Sequence, residues 1–210
     1  MSNFTNKTII FANGAVPEHP VPLKALSTAE RIICCDGAVD KLVRLGCEPD
    51  WVIGDMDSIT DSSRACFSEC LVEVADQSRN DLTKAFKLCI SHGWRDIAVI
   101  GATGGREDHT LGNISLLVDF ARQLDIVLLS DTGFFITLTD SASIEALSGQ
   151  QVSVFSFNPD MPIHSEGLKY PLNGIRLNRW WQATLNEAVS GRFSLLFEGG
   201  PLLVYLVYND

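Results

Sequence analysis

The chain changes its hydrophobic period once, near residue 131, and this limits its possible folds more than any other feature. Before that point short apolar runs alternate with helical stretches. The runs are Thr8 to Ala12, Arg31 to Cys35, Asp50 to Ile53, Leu71 to Ala75, Ile97 to Ile100 and Ile126 to Leu129. They are rich in β-branched residues, as strands buried on both faces require. Between the later runs the period becomes helical. From Asn80 onward Leu82, Ala85, Phe86, Cys89 and Ile90 share one face, and Gly93 supplies a stop. Leu111, Ile114, Leu117, Val118 and Ala121 form a second such face. Alternating strands and helices predict a mostly parallel sheet with covering helices, an α/β domain over residues 1–131.

After Asp131 helical spacing disappears. Phe134 to Thr139, Gln151 to Phe157, Ile175 to Trp180, Arg192 to Phe197 and Leu202 to Tyr208 read as strands. Turn chemistry separates them, at Asn158-Pro159, Asn173-Gly174 and Gly199-Gly200-Pro201. A small antiparallel β-sandwich domain is expected over 132–210.

Composition narrows the function classes. Lys plus Arg is 16 against 26 Asp plus Glu, a net charge of −10 over 210 residues. A non-specific nucleic-acid binder needs a basic face, and an anionic membrane a polybasic one, so neither partner is expected. No apolar run approaches the roughly 20 residues of a membrane-spanning helix. Met1 to Lys7 is polar and lacks the layout of a signal peptide. The six cysteines form no CxxC pair and read as reduced thiols of a cytoplasmic protein. The histidines, His19, His92, His109 and His164, lack metal-ligand spacing.

Acids and glycines gather just after the strands, where open parallel sheets bind ligands. In Gly54-Asp55-Met56-Asp57-Ser58 the two acids stand two apart and can converge on one hard cation. Asp76 to Lys84 runs from a strand end into a helix start, with Asn80 as N-cap and Asp81 in the first turn. Arg79 and Lys84 beside those acids suit a metal–phosphate complex. Gly101 to His109 is a glycine-rich turn whose backbone N–H groups can cradle phosphate oxygens, with Arg106 as a bidentate partner. It fits neither the P-loop nor the GxGxxG pattern. Cys35-Asp36-Gly37-Ala38 is a fourth such end. Taken together these turns read as a Mg²⁺-nucleotide site; taken singly, each is an ordinary helix cap.

In order and spacing, CDGAVDKL, PDWVIGDMDSI, DQSRNDLTKAF, GATGGREDHTLGNISLL and GLKYPL resemble the thiamin pyrophosphokinase family over nearly the whole chain. The resemblance implies a Rossmann-like first domain carrying ATP and Mg²⁺. It also implies a β-sandwich helping to hold thiamin, and a homodimer with active sites at its interface. Asp55, Asp57, Asp81 and Asp108 match the family's catalytic acids, the first three as metal ligands. Asp36, Gln77, Asn80, Lys84, Gly104, Gly105 and Arg106 match nucleotide-binding positions. Tyr170, at a place often held by Trp, would stack on thiamin, and Thr184 and Asn186 would contact it. Departures are Asn80 where Thr is common, Ser78 where an acid is common, and Leu185 in place of a small polar residue. Trp180 and Trp181 are expected in the core. The implied reaction converts ATP and thiamin to AMP and thiamin diphosphate. Its proton acceptor is Asp108 or one of the metal-binding acids. A pyrophosphokinase acting on a pterin alcohol and a non-catalytic sensor are the competing readings.

Overall fold

The computed structural model describes residues 4–209, so the polar N-terminus lies partly outside the described residues. Contacts divide the chain into two compact units, Ser2–Asp131 and Thr132–Asp210.

The first unit alternates strand and helix throughout. Its strands are β1 (Thr8–Phe11), β2 (Arg31–Cys35), β3 (Trp51–Gly54), β4 (Leu71–Glu73), β5 (Asp96–Ile100) and β6 (Asp125–Leu129). Its helices are α1 (Pro20–Ser27), α2 (Val39–Arg44), α3 (Asp61–Cys66), α4 (Asp81–Ser91) and α5 (Glu107–Phe120). The six strands run parallel in the order β6-β5-β1-β2-β3-β4. With β1 central, the chain first winds outward to β4 and then returns to β5 on the other side. Strand order therefore reverses between β1 and β5, the place where such sheets open a ligand crevice. Ile9, Ile10 and Phe11 of β1 are fully buried, as strands covered on both faces must be. Cys34, Cys35 and Cys89 are core thiols; burial pushes Cys89 up to about 12, which keeps it protonated and inert.

Helix α4 follows its sequence closely. The Asn80 side chain accepts from the Thr83 N–H at 3.0 Å, and Leu82, Ala85, Phe86 and Cys89 are buried. Helix α5 departs from expectation. Of its anticipated apolar face only Leu117 is fully buried, and Leu111 is exposed. The apolar spacing is helical, but the helix buries its face only in part: Ile114, Val118 and Ala121 are half-buried. Helices α1 to α3 add elements that periodicity did not reveal. Of these, α1 is marked by Pro20 at its first position and by the His19 ring accepting from Val21 N–H.

The second unit contains two antiparallel sheets. One has the order β12 (Asn186–Glu187), β9 (Gln151–Ser156), β14 (Leu202–Val207), β7 (Gly133–Leu138). The other has the order β11 (Asn173–Arg176), β10 (Pro162–Glu166), β13 (Arg192–Phe197), β8 (Ala142–Glu145). Alternate residues point inward, among them Phe193, Leu195 and Phe197 of β13 and Val152 and Val154 of β9. The strand expected over Ile175 to Trp180 ends at Arg176. Trp180 and Trp181 lie on the following turns and are exposed, the latter by 73%, which corrects their assignment to the core.

Candidate active site

The carboxyl ends of β1, β2, β3 and β5 and the N-termini of α4 and α5 surround one pocket of about 670 Å³. Its walls include Asp36, Asp55, Asp57, Gln77, Asn80, Asp81, Lys84, Gly105 and Arg106, which the sequence singled out. Gly104 and Asp108 stand beside it without forming its wall. Gly104 has φ +75, and a Cβ there would come within 2.7 Å of the Ala15 methyl. It lets the glycine-rich turn pack on the loop after β1 and so sets the position of Gly105.

The acids converge because the backbone turns sharply. Met56 adopts a left-handed φ of 65 between Asp55 and Asp57, and its N–H donates to Asp36 Oδ2 at 2.9 Å. Gly54 lies so close to Asp36 that a Cβ would stand 2.6 Å from its carboxylate. Oxygens of Asp36, Asp55 and Asp57 thereby lie within 4.8 Å of one another. Three carboxylates at that spacing suit a hard divalent cation. Asp36 is only 2% exposed. Burial raises its pKa, and repulsion from Asp81 and Asp55 adds to this, while the Gly37 and Met56 N–H groups oppose it. The crowding of negative charge is itself what a cation would relieve.

Asp81, expected beside Asp55 and Asp57, gives its carboxylate to Lys84 at 2.8 Å. Lys84 is buried, which disfavours its charge, but Asp81, Asp55 and Asp36 together raise its pKa. It is a fixed ammonium among acids, a group whose charge can pair with phosphate oxygens. At Asp55 desolvation acts to raise the pKa, but the Asp57 N–H, Lys84 and the Asp57 side chain together outweigh it and leave the pKa lowered. Arg106 Nε and Nη2 grip both oxygens of Asp108 at 3.0 and 2.6 Å. That pairing pulls the Asp108 carboxyl down to about 2.

Several wall residues escaped the sequence reading. Asn13 and Gly14 follow β1, the one strand end without an acid. Their loop is tied to the glycine-rich turn by Gly14 N–H to Gly101 O and Ala15 N–H to Thr103 O. Lys41 Nζ also donates to the carbonyls of Asn13 and Gly14 at 3.0 and 2.8 Å. Asn113, on α5, accepts from Asn80 Nδ2 at 3.3 Å and donates to Ala102 O at 2.9 Å. It clips the cap of α4 to the loop after β5.

The three residues expected to meet thiamin belong to the second unit. Tyr170 is 61% exposed, while Asn186 is buried. The Asn186 amide accepts from Tyr170 N–H at 3.1 Å and donates to Tyr170 O at 2.8 Å, so it fixes the Tyr170 backbone. Thr184 donates its hydroxyl to Trp181 O at 2.9 Å.

The sequence matches the family description "Thiamin pyrophosphokinase, catalytic domain" over residues 23–128, and "Thiamin pyrophosphokinase, substrate-binding domain" over 133–208. Thiamine pyrophosphokinase of Bacillus subtilis (strain 168) is 28% identical over 209 residues, which is 94% of this chain and 97% of that one. Thiamine pyrophosphokinase 1 of Oryza sativa subsp. japonica is 33% identical over 124 residues, 47% of each chain, so the match spans about half its length. The crystal structure of the B. subtilis protein superposes with a TM-score of 0.77 at 27% identity, covering 97% of this chain and 100% of that one. Thiamin pyrophosphokinase from Candida albicans gives 0.81 at 15% identity over 97% and 90%, a likeness of fold.

Proposed function

The chain belongs to the thiamin pyrophosphokinase family, and from that premise we propose how its residues move the pyrophosphoryl group of ATP to the thiamin hydroxyl. The observation that carries the reading is the convergence of Asp36, Asp55 and Asp57 beside the Asp81–Lys84 pair in one pocket. Asp55 and Asp57, with Asp36 and with Asp81 at their flank, would hold Mg²⁺. A bound divalent cation neutralises polyphosphate charge and lets an acidic wall accept a polyanion.

The chain's own groups do the rest. Lys84 and Arg106 offset charge on the phosphates, and Gln77, Asn80 and the Gly105 backbone line their path. The thiamin hydroxyl oxygen forms a bond to the β-phosphorus as that phosphorus loses its bond to the oxygen bridging to the α-phosphate. AMP leaves with the bridging oxygen, and the hydroxyl proton passes to an acceptor within hydrogen-bond reach. With its pKa down at about 2, Asp108 is a weak proton acceptor, and its role is to aim Arg106. Tyr170 would stack on thiamin, with Asn186 and Thr184 shaping that surface. Thiamin is cationic, so the negative field of the protein favours its approach.

The exposed Tyr170, Trp180, Trp181 and Leu185 support a homodimer that covers them and completes the active sites at its interface. Among the described residues all six cysteines are free, which fits a cytoplasmic setting, and no helix is long and apolar enough to cross a membrane. Asp57 is exposed, so Asp57→Asn should leave thermal unfolding unchanged. AMP release from ATP and thiamin should fall by about a hundredfold or more. Release at the unaltered rate would overturn the assignment of the acids.

A further inference from the structure

We propose that Arg64, on α3, is a positioning residue for the acids of the pocket, which it serves by clamping the backbone of Met56. This rests on the reading above that those acids hold a divalent cation. Arg64 is not part of the pocket wall. Its guanidinium reaches back from the helix, and Nη2 donates to the Met56 carbonyl oxygen. Met56 is the left-handed residue between Asp55 and Asp57. A residue with a β-carbon keeps that conformation only where its surroundings enforce it. Here the backbone is held on both sides. Asp36 Oδ2 accepts from the Met56 N–H at 2.9 Å, and Arg64 takes the carbonyl.

The turn has few other restraints. Among the described residues, no backbone group from Asp55 to Ile59 bonds to another backbone group, so side chains hold this segment. Its remaining contacts are internal. Asp57 N–H meets Asp55 Oδ1 at 3.5 Å, and Ser58 Oγ donates to Asp57 Oδ1 at 2.8 Å. Arg64, by contrast, stands on an anchored base. Thr60 caps α3 by accepting from the Ser63 N–H at 3.3 Å. Asp40, in the first turn of α2, accepts from the hydroxyls of Thr60, at 3.3 Å, and of Ser63. The tie therefore runs from α2 through α3 to the Met56 carbonyl. If that peptide turned, Asp57 would swing away from Asp36 and Asp55, and the 4.8 Å grouping of their oxygens would open. Misplacing a ligand weakens metal binding even when every ligand atom is kept. The sign of the effect is diagnostic. A guanidinium near three carboxylates repels a cation, so a residue acting by charge alone would, when removed, tighten cation binding. Loss of a clamp weakens it.

The full chain is tested with Mn²⁺, its binding without nucleotide read by electron paramagnetic resonance, and by amide hydrogen exchange followed by NMR. Arg64 is exposed, so Arg64→Met should fold. Its Kd for Mn²⁺ should rise by about tenfold. The Met56 amide should exchange about tenfold faster as the turn opens. Arg64→Lys keeps the charge and one donor, and its Kd should rise by about threefold, because an ammonium on a flexible stem grips less firmly than a planar fork. An unchanged or lowered Kd in folded Arg64→Met would overturn the clamp while leaving the metal assignment intact. If Arg64→Met fails to fold, Arg64→Lys decides alone, and an unchanged Kd there would overturn the clamp. Absence of Mn²⁺ binding to the unaltered protein would instead overturn the metal assignment. The Met56 amide would then decide the clamp, which an unchanged exchange rate in the variant would overturn.

Discussion

The two units place their functional groups in opposite ways. In the first, nearly every group around the pocket sits on a strand end or a helix start, tied down by several hydrogen bonds between side chains and backbone. Met56 N–H holds Asp36, the Asn80 cap holds α4, and Asn113 ties that cap to Ala102. In the second, Tyr170 and Thr184 stand on connections between short strands and Asn186 on the two-residue strand β12, from which its side chain holds the Tyr170 backbone. A parallel sheet aligns its strand ends at one edge, so charge collects there with little freedom. A sandwich of short antiparallel strands instead leaves its recognition surface to the connections. Changes in the first unit should therefore disturb the chemistry and the nucleotide, and changes in the second should disturb thiamin alone.

The sharpest way to break that contrast is at Lys84. Lys84→Met removes a buried ammonium and leaves Asp81, Asp55 and Asp36 facing one another without it. Turnover should fall by about a hundredfold. The unfolding temperature should fall as well, because acids lose their partner in a pocket that disfavours unpaired charge. Steady-state kinetics and a thermal melt would check both. An unchanged kcat would remove Lys84 from the chemistry. A smaller and more selective effect is expected at Asn186. Asn186→Ala leaves the Tyr170 N–H and C=O without their buried partner, at a cost of about 1–3 kcal/mol in stability. The KM for thiamin should rise by about tenfold as Tyr170 loses its fixed position, while the KM for ATP stays put. A shift in both constants would show that the units do not divide the substrates.

How far sequence alone reached follows the same contrast. Strands β1, β2, β3, β5 and β6 were legible because burial on both faces leaves apolar runs such as Thr8 to Ala12, while the edge strand β4 is only half-buried. Helix α4 was legible because an N-cap, a periodic face and a stop coincide. Helices α2 and α3 have six residues each, too few to display a period. In the second unit β10 reads Pro-Ile-His-Ser-Glu, and its buried positions include Ser165, so polar residues conceal the alternation. Trp180 and Trp181 look like core residues by type, yet they stand on turns after Arg176 where no second layer covers them. Within the pocket, acids advertised four strand ends. Asn13 carried no such mark, and Asn113 lies inside a helix where spacing alone does not show that it reaches Ala102.

The mildest expectation concerns the pair at the mouth of α5. Asp108 is ionised well below the ordinary carboxylate range because Arg106 donates to both its oxygens; desolvation opposes this and the His109 N–H adds to it. A carboxyl whose folded pKa is depressed stabilises the fold at pH values above its unfolded pKa. That contribution is lost only as pH falls from the ordinary carboxylate range through about 2. The contribution is therefore constant between pH 5 and 8, and Arg106→Ala should lower stability there by a small, pH-independent amount, small because both side chains are largely exposed and screened by solvent. Carboxyl NMR should show the Asp108 midpoint near 2 in the unaltered protein and a return toward the ordinary range in Arg106→Ala. A midpoint already in the ordinary range would mean that the pair does not persist in solution. In that event Asp108 would be free to take a proton, and the division of labour between it and the acids at β3 would have to be redrawn.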